Sequence, residues 1–256
     1  MLIKNLSMIY YSRLGTYKTS KKMETENKNY VLIHDEEKLQ EFINFLPELQ
    51  ANESYFLILI ARRKWFTEAE IKPAVKLKRE AVTKERIIST IRQWETAVGT
   101  LKCDGVDINQ NNLGVYIGYN PKNQHAACFQ LIKTCLDVIK DNRNNINVKS
   151  MANDIIQSSN GTKHFMDINV DIKELENYRD IMDFIKSVIK NDNALTFVKT
   201  SGGFHCLVRL SMLEGNKTWY PQIKAHKFKS DLNIMSNDLM PIPSCRQGQF
   251  IPYFIM

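Results

Sequence analysis

No stretch of the 256-residue chain approaches the roughly 18 uninterrupted apolar residues that a membrane-crossing helix needs. The best run, Tyr55–Ala61, is far too short. The N-terminal segment MLIKNLSMIYYSRLGTYKTSKK has neither a continuous apolar region nor a small-residue cleavage site, so it does not read as a signal peptide. Secretion and membrane insertion are therefore not expected. Five cysteines (Cys103, Cys128, Cys135, Cys206, Cys245) include no C-x-x-C pair. An odd count without zinc spacing argues against a disulfide framework or zinc ribbon and for reduced thiols in a cytosolic protein. Internal repeats and low-complexity tracts are lacking too, although Asn-rich patches at Asn109–Asn112 and Asn142–Asn147 mark loops.

What is present fits a globular chain: 43% hydrophobic and 25% charged residues, long enough to bury a core as one large domain or two small ones. The chain carries 35 Lys+Arg against 28 Asp+Glu, a formal charge of +7. Between Arg62 and Arg92 ten basic residues face four acids, which places nearly all of the excess there. Arg62, Arg63, Lys64, Lys76, Lys78 and Arg79, with Trp65, Phe66 and Trp94 nearby, suit a polyanion, because neutralised phosphates release counterions. The alternative for this segment is a solvated helix face with pairs such as Glu80–Lys84.

Periodicity predicts an alternation of strands and helices. An apolar run, Tyr30–His34, leads into a helix over Glu36–Leu49, and Tyr55–Ala61 reads as a buried strand. A helix carries Ile87, Ile88, Ile91, Trp94 and Val98 after a candidate cap at Thr83, and Gly99 stops it. Leu113–Tyr119 is a strand closed by Asn120-Pro121. Phe129–Ile139 is a strongly apolar helix and Val148–Ile156 a shorter one. The remainder reads as strand Phe165–Ile172, helix Tyr178–Ile189, strands Leu195–Val198 and Phe204–Leu210 about a Gly202-Gly203 hairpin, helix Trp219–Phe228, and terminal strands Leu239–Pro243 and Phe250–Phe254. The run from Phe165 resembles a split βαβ, RRM-like unit. The chain is thus expected to be α+β, with a basic lobe at 1–145 and an RRM-like lobe at 146–256.

Three segments carry candidate chemistry. In His164-Phe165-Met166-Asp167-Ile168-Asn169-Val170-Asp171-Ile172, strand alternation puts Asp167, Asn169 and Asp171 on one face and the apolar residues on the other. Crowded oxygen donors suit a hard cation, Mg²⁺ or Mn²⁺; the alternative is an edge strand with one solvated face. In Ser201-Gly202-Gly203-Phe204-His205, the glycines allow a sharp turn with exposed amides, and His205 opens the next strand, where it could donate to a phosphate. A further carboxylate, Asp231 or its competitor Asp238, would complete a metal site.

In this order the segments resemble the signature of the archaeo-eukaryotic primase superfamily, the primase-polymerases: an hhDhD strand, a Ser-x-x-Gly-x-His turn entering a strand, and a later acid followed by a strand, here Leu239 to Gln249. Tyr116-Ile117-Gly118-Tyr119-Asn120-Pro121-Lys122 resembles that family's Asn-Pro-Arg strand end. The resemblance covers roughly Tyr30 to Met256, with about twenty residues in specific motifs. It implies a two-lobed core, two metal ions held by Asp167, Asp171 and Asp231, and NTP or dNTP phosphates held by His205 with Ser201, Gly202 and Gly203. Lys199, Arg209 and Arg246 are further phosphate-contact residues on this reading. It also implies primer synthesis on a single-stranded DNA template, in the cytoplasm of a bacterial or phage-infected cell, with a helicase or other replication protein as partner. Asn169 departs from the pattern, since the family carries an acid there; Asp171 compensates if the register slides by two. The alternatives are a catalytically impaired nucleotide- or nucleic-acid-binding replication subunit, and an RRM-like RNA binder, which the polar strand face disfavours.

Overall fold

The computed structural model describes residues 28–62, 74–103, 105–142, 146–171, 176–213, 215, 218–225, 232–235 and 239–255. Arg63, Lys64, Trp65, Phe66, Asp231 and Asp238 lie outside them. The molecule is a mixed α+β protein with two open five-stranded sheets.

Asp35 caps the first helix, α1 (Glu36–Phe45), by accepting from the Lys38 amide, and Glu36 and Glu37 complement the positive end of its dipole. Its Leu39, Phe42 and Ile43 are buried against β1 (Glu53–Arg62), a strand covered on both faces. On one side Tyr55, Leu57, Leu59 and Ala61 meet α1 and α2 (Ile87–Trp94); on the other, Phe56, Ile58 and Ile60 meet Tyr116 and Ile156. β1 is flanked by β2 (Ala74–Val82) and β5 (Leu113–Gly118), both antiparallel. A two-stranded ribbon, β3 (Lys102–Cys103) with β4 (Val106–Asp107), precedes β5. β6 (Lys122–Asn123) pairs the start of β1 and leads into α3 (Gln124–Lys140) and α4 (Val148–Ser158).

The second sheet is built from β7 (Phe165–Val170), α5 (Glu176–Ile189), β8 (Leu195–Thr200), β9 (Gly203–Arg209), α6 (Trp219–Ala225) and β10 (Leu232–Met235), with strand order β10-β7-β9-β8. After β11 (Leu239–Pro241), β12 (Tyr253–Ile255) extends this sheet beside β8. Ile168, Val170, Phe204, Cys206 and Val208 pack on Ile181, Ile185, Trp219 and Ile223, so α5 and α6 cover one face. The opposite face turns to the first sheet, where Phe165, Val198 and Leu207 share a core with Phe42 and Tyr119, and Phe45 stacks on Phe165 with ring centroids 5.2 Å apart.

The apolar run Tyr30–His34 forms no strand. Its three central amides go to side chains, Val31 to Gln110 and Leu32 and Ile33 to the Glu95 carboxylate, while those of Tyr30 and His34 donate to the Thr96 and Ser244 carbonyls. Three expectations are corrected. Thr83 makes no side-chain cap bond, and α2 ends at Trp94, ahead of Gly99. α4 packs on the first sheet through Ile156, and β11 joins that sheet beside β5. The strand that completes the second sheet beside β7 is therefore Leu232–Met235 instead of Leu239–Pro243.

Glu53 fastens the start of β1 to the approach to β7. It is buried, and its carboxylate accepts from the amides of Thr162 (2.8 Å) and Gln50 (3.1 Å). Burial opposes ionisation, but these amides outweigh it and hold the carboxyl below its ordinary value. A depressed folded-state pKa gives stability that is present above the unfolded value of about 4.3 and is lost as pH falls through the lower, folded value. Glu53→Gln should therefore cost roughly 1–2 kcal/mol at neutral pH, and its stability deficit should shrink as pH drops below about 4. Thermal melts of both proteins across an acid series check this.

Candidate active site

The site grows from the pairing of β7 with β9. Asn169 lies directly opposite His205, and Asp167 opposite Leu207. Alternation then puts Asp167, Asn169 and His205 on the face turned away from α5 and α6, towards the first sheet. Asp167 is fully buried, and its Oδ2 lies 2.7 Å from His205 Nδ1. An ionised carboxylate only accepts, so against it Nδ1 carries the proton and Nε2 becomes the ring's second working atom. The pair is a positioned imidazole backed by a buried carboxylate.

The turn above it is tightly constrained. Thr200 pairs with Gly203, leaving Ser201 and Gly202 as the two-residue connection between β8 and β9. A Cβ on Gly203 would sit 1.7 Å from the Val170 carbonyl oxygen, so this glycine is required by the closeness of β7. A Cβ on Gly202 would meet only Asp171 Oδ1, at 3.8 Å. Asp171 thus leans beside the turn, where its Oδ2 accepts from Asn169 Nδ2 at 3.2 Å.

A polar chain links this turn to the first sheet. The Ser201 amide donates to Gln247 Oε1 (2.9 Å), and Gln247 Nε2 donates to the Tyr116 hydroxyl (3.3 Å). The Arg62 guanidinium lies over the Tyr116 ring, 5.0 Å from its centroid. Burial raises the Tyr116 phenol pKa, with Arg62 and Gln247 opposing, so the hydroxyl stays protonated. Because its amide is already engaged, Ser201 offers a ligand its hydroxyl. Asn120 forms a second inter-sheet clasp: its Oδ1 accepts from the amides of His164 and Phe165 (both 2.9 Å), and its Nδ2 donates to the Phe165 carbonyl (3.0 Å). Sequence reasoning takes Asn120-Pro121 only as a strand end, whereas this side chain sets where β7 begins. Lys122, which follows Asn120-Pro121, is buried and donates to Asn160 Oδ1 at 3.3 Å.

The other expected phosphate contacts fall elsewhere. Lys199 pairs with Phe204, one position from His205's partner Val198, so it is on the helix-covered face. There it donates to the Tyr178 hydroxyl (2.6 Å) and the Gly203 carbonyl (3.2 Å). Arg209 shares the site face but at the far end of β9, over the rings of Phe45 and Phe165. Arg246 clamps the chain near its end to the first lobe, donating from Nε to the Val31 carbonyl (2.9 Å) and from Nη1 to the Gly248 carbonyl (3.1 Å). Each of the three cations thus serves a structural partner away from the His205 imidazole.

The basic segment is partly neutralised. Arg79 pairs with Asp154 and donates to Ser150 Oγ (3.0 Å), and Lys76 reaches Asp154 (3.6 Å) and Gln157 (3.0 Å). Lys78 is exposed. These residues line a groove of about 540 Å³ with Lys149, Asn147 and Asn153 of the α4 N-terminus. Weighing the segment by its own charge passes over Lys149, because a basic groove draws on distant parts of the chain.

Among the described residues no cluster of three or more His, Cys, Asp or Glu is placed to hold an ion. Asp167 gives one oxygen to His205, Asn169 is neutral, and Asp171 is exposed. Three residues lie between the two acids, four backbone steps or about 13 Å of extended chain, too far to share one cation. Cys206 is disfavoured as a nucleophile: burial, helped by the Asp167 charge, pushes its thiol well up. All five cysteines are free, and among the described residues no helix is long and apolar enough to cross a membrane. No family model, curated protein or solved structure matches this chain.

Proposed function

We propose that the chain is a primase-polymerase-type nucleotidyltransferase core, making primers from NTPs or dNTPs on single-stranded DNA in phage or mobile-element replication. The observation that carries this reading is the His205–Asp167 bond beneath the Ser201-Gly202-Gly203 turn, on neighbouring strands facing a second sheet. The β10-β7-β9-β8 order of a β-α-β-β-α-β run, set against a basic first sheet, supports this reading. On this reading the imidazole, held at Nδ1 by Asp167, turns Nε2 to a nucleotide phosphate, with the Ser201 hydroxyl beside it. The Lys76–Lys78–Arg79 groove takes the template backbone. Mg²⁺ or Mn²⁺ is the cofactor the resemblance implies, and the nucleotide-binding role assigned to His205 does not depend on it.

A second reading, a nucleotide-binding replication subunit without catalysis, is favoured by Asn169 standing where the family has an acid. Incubation with Mn²⁺, labelled nucleotides and a single-stranded template separates the two. Product that disappears in Asp167→Ala and His205→Ala is the expected result. Nucleotide binding without product, weakened at least tenfold in His205→Ala by loss of a charge-assisted bond, selects the second reading. Neither product nor nucleotide binding rejects both.

A further inference from the structure

Helix α3 is apolar on two sides. Ala127 is buried and Leu131, Thr134, Cys135 and Val138 are half-buried, marking the side that faces the protein. Turned away from it are Phe129, Ile132, Leu136 and Ile139, with exposures of 75%, 59%, 61% and 75%. A helix apolar on opposite sides is normally covered on both, and scattered single exposures would need no explanation, but a continuous stripe does.

The spacing says what kind of cover fits. Positions 129, 132, 136 and 139 repeat at intervals of three, four and three, the a/d pattern of a coiled-coil seam. A seam of this kind is complementary to itself about a two-fold axis, so no second sequence is needed to fill it. Large apolar side chains carry on the order of 150–200 Å² each, so four at these exposures leave roughly 400–500 Å² uncovered on each copy. Two copies joined along α3 remove about twice that, close to the ~1,000 Å² floor of a specific interface, before flanking residues are counted. The stripe is also free of charge: Lys133, Asp137 and Lys140 lie to one side of it, where they stay solvated at the rim.

We propose that α3 is a homodimer interface, closed by the same stripe from a second copy of this chain. The test is the solution mass of the full chain by sedimentation over a concentration series. The expected result is twice the 29.8 kDa chain mass, falling to one chain in Leu136→Glu and in Phe129→Lys. Asp137→Lys, on the same helix but outside the stripe, should leave the dimer intact. Circular dichroism of each variant separates loss of association from loss of folding, which substitutions at exposed positions are not expected to cause. A wild-type chain that stays monomeric throughout overturns the proposal, including the case where its α3 amides resist hydrogen exchange because another segment of the same chain covers them. A dimer that survives both stripe substitutions overturns it equally.

Discussion

Gly203→Ala should strongly destabilise the second sheet, whereas Gly202→Ala should leave it nearly unchanged. A methyl at 203 would lie 1.7 Å from the Val170 carbonyl oxygen and 2.8 Å from its carbon, both backbone atoms of β7. No rotamer change relieves that overlap. β7 and β9 must separate at the end where Val170 pairs with Phe204, and two fully buried residues, Val170 and Phe204, would lose packing there. Overpacking of side chains alone costs about 1–3 kcal/mol, and displacing a ladder adds unmade hydrogen bonds of about 1 kcal/mol each. A loss of at least ~3 kcal/mol is expected, a fall in Tm of roughly 6–12 °C for a chain of this size. At 202 the nearest heavy atom is Asp171 Oδ1 at 3.8 Å, an ordinary contact, so the change should stay within about 0.5 kcal/mol. Parallel thermal melts measure both. A Gly203→Ala chain that melts with the wild type would show that the strands do not approach as described. The contrast assigns the two glycines different work: Gly203 closes the sheet, and only Gly202 is left to serve a ligand.

Local pattern and long-range pairing explain which parts are legible in the sequence. β7 and β9 are readable because Met166, Ile168 and Val170 alternate with Asp167 and Asn169, and the two-residue Ser201-Gly202 turn fixes the register of β9 against β8. That same register places Lys199 behind the sheet, so the alternation, carried through the turn, excludes it from the site. β2 is hidden because Lys76, Lys78, Arg79 and Glu80 look like a solvated helix. Charge on a sheet edge is how a strand at that position avoids unwanted pairing, and composition alone cannot tell the two apart. That β10, and not β11, lies beside β7 is hidden for a different reason. Both are short and apolar, and which sheet each joins depends on partners more than sixty residues away, Val170 for one and Tyr116 for the other. Asn120 and Arg246 belong to the same class, since their bonds reach His164 and Val31 across the fold. The helical pattern of α3 is visible; that half its apolar surface faces outward is not, because periodicity reports two apolar sides without saying what lies against each.

Asn169→Asp should strengthen the cation binding that primer synthesis needs. Residue 169 is two positions from Asp167 on the same strand face, about 7 Å along the backbone, and it is directly across from His205. At that spacing two carboxylates can converge on one ion at oxygen–metal distances near 2.1 Å, which Asp167 and Asp171 cannot do from about 13 Å apart. Without metal the new charge is unfavourable, for it lies between two aspartates and loses the bond that Asn169 Nδ2 donates to Asp171. The apo variant should therefore be less stable than wild type by roughly 1 kcal/mol, and Mn²⁺ should more than restore it. Ligand at 100 times its Kd contributes about 2.7 kcal/mol, so Tm should climb by several degrees with added Mn²⁺ in the variant and by less in the wild type. Calorimetric titration should give at least tenfold tighter Mn²⁺ binding, and primer synthesis should rise with it. If wild type and variant respond to Mn²⁺ alike, Asp171 already compensates and the separation of the two acids is not the obstacle; if neither responds, the face shared by Asp167 and residue 169 does not gather cations at all.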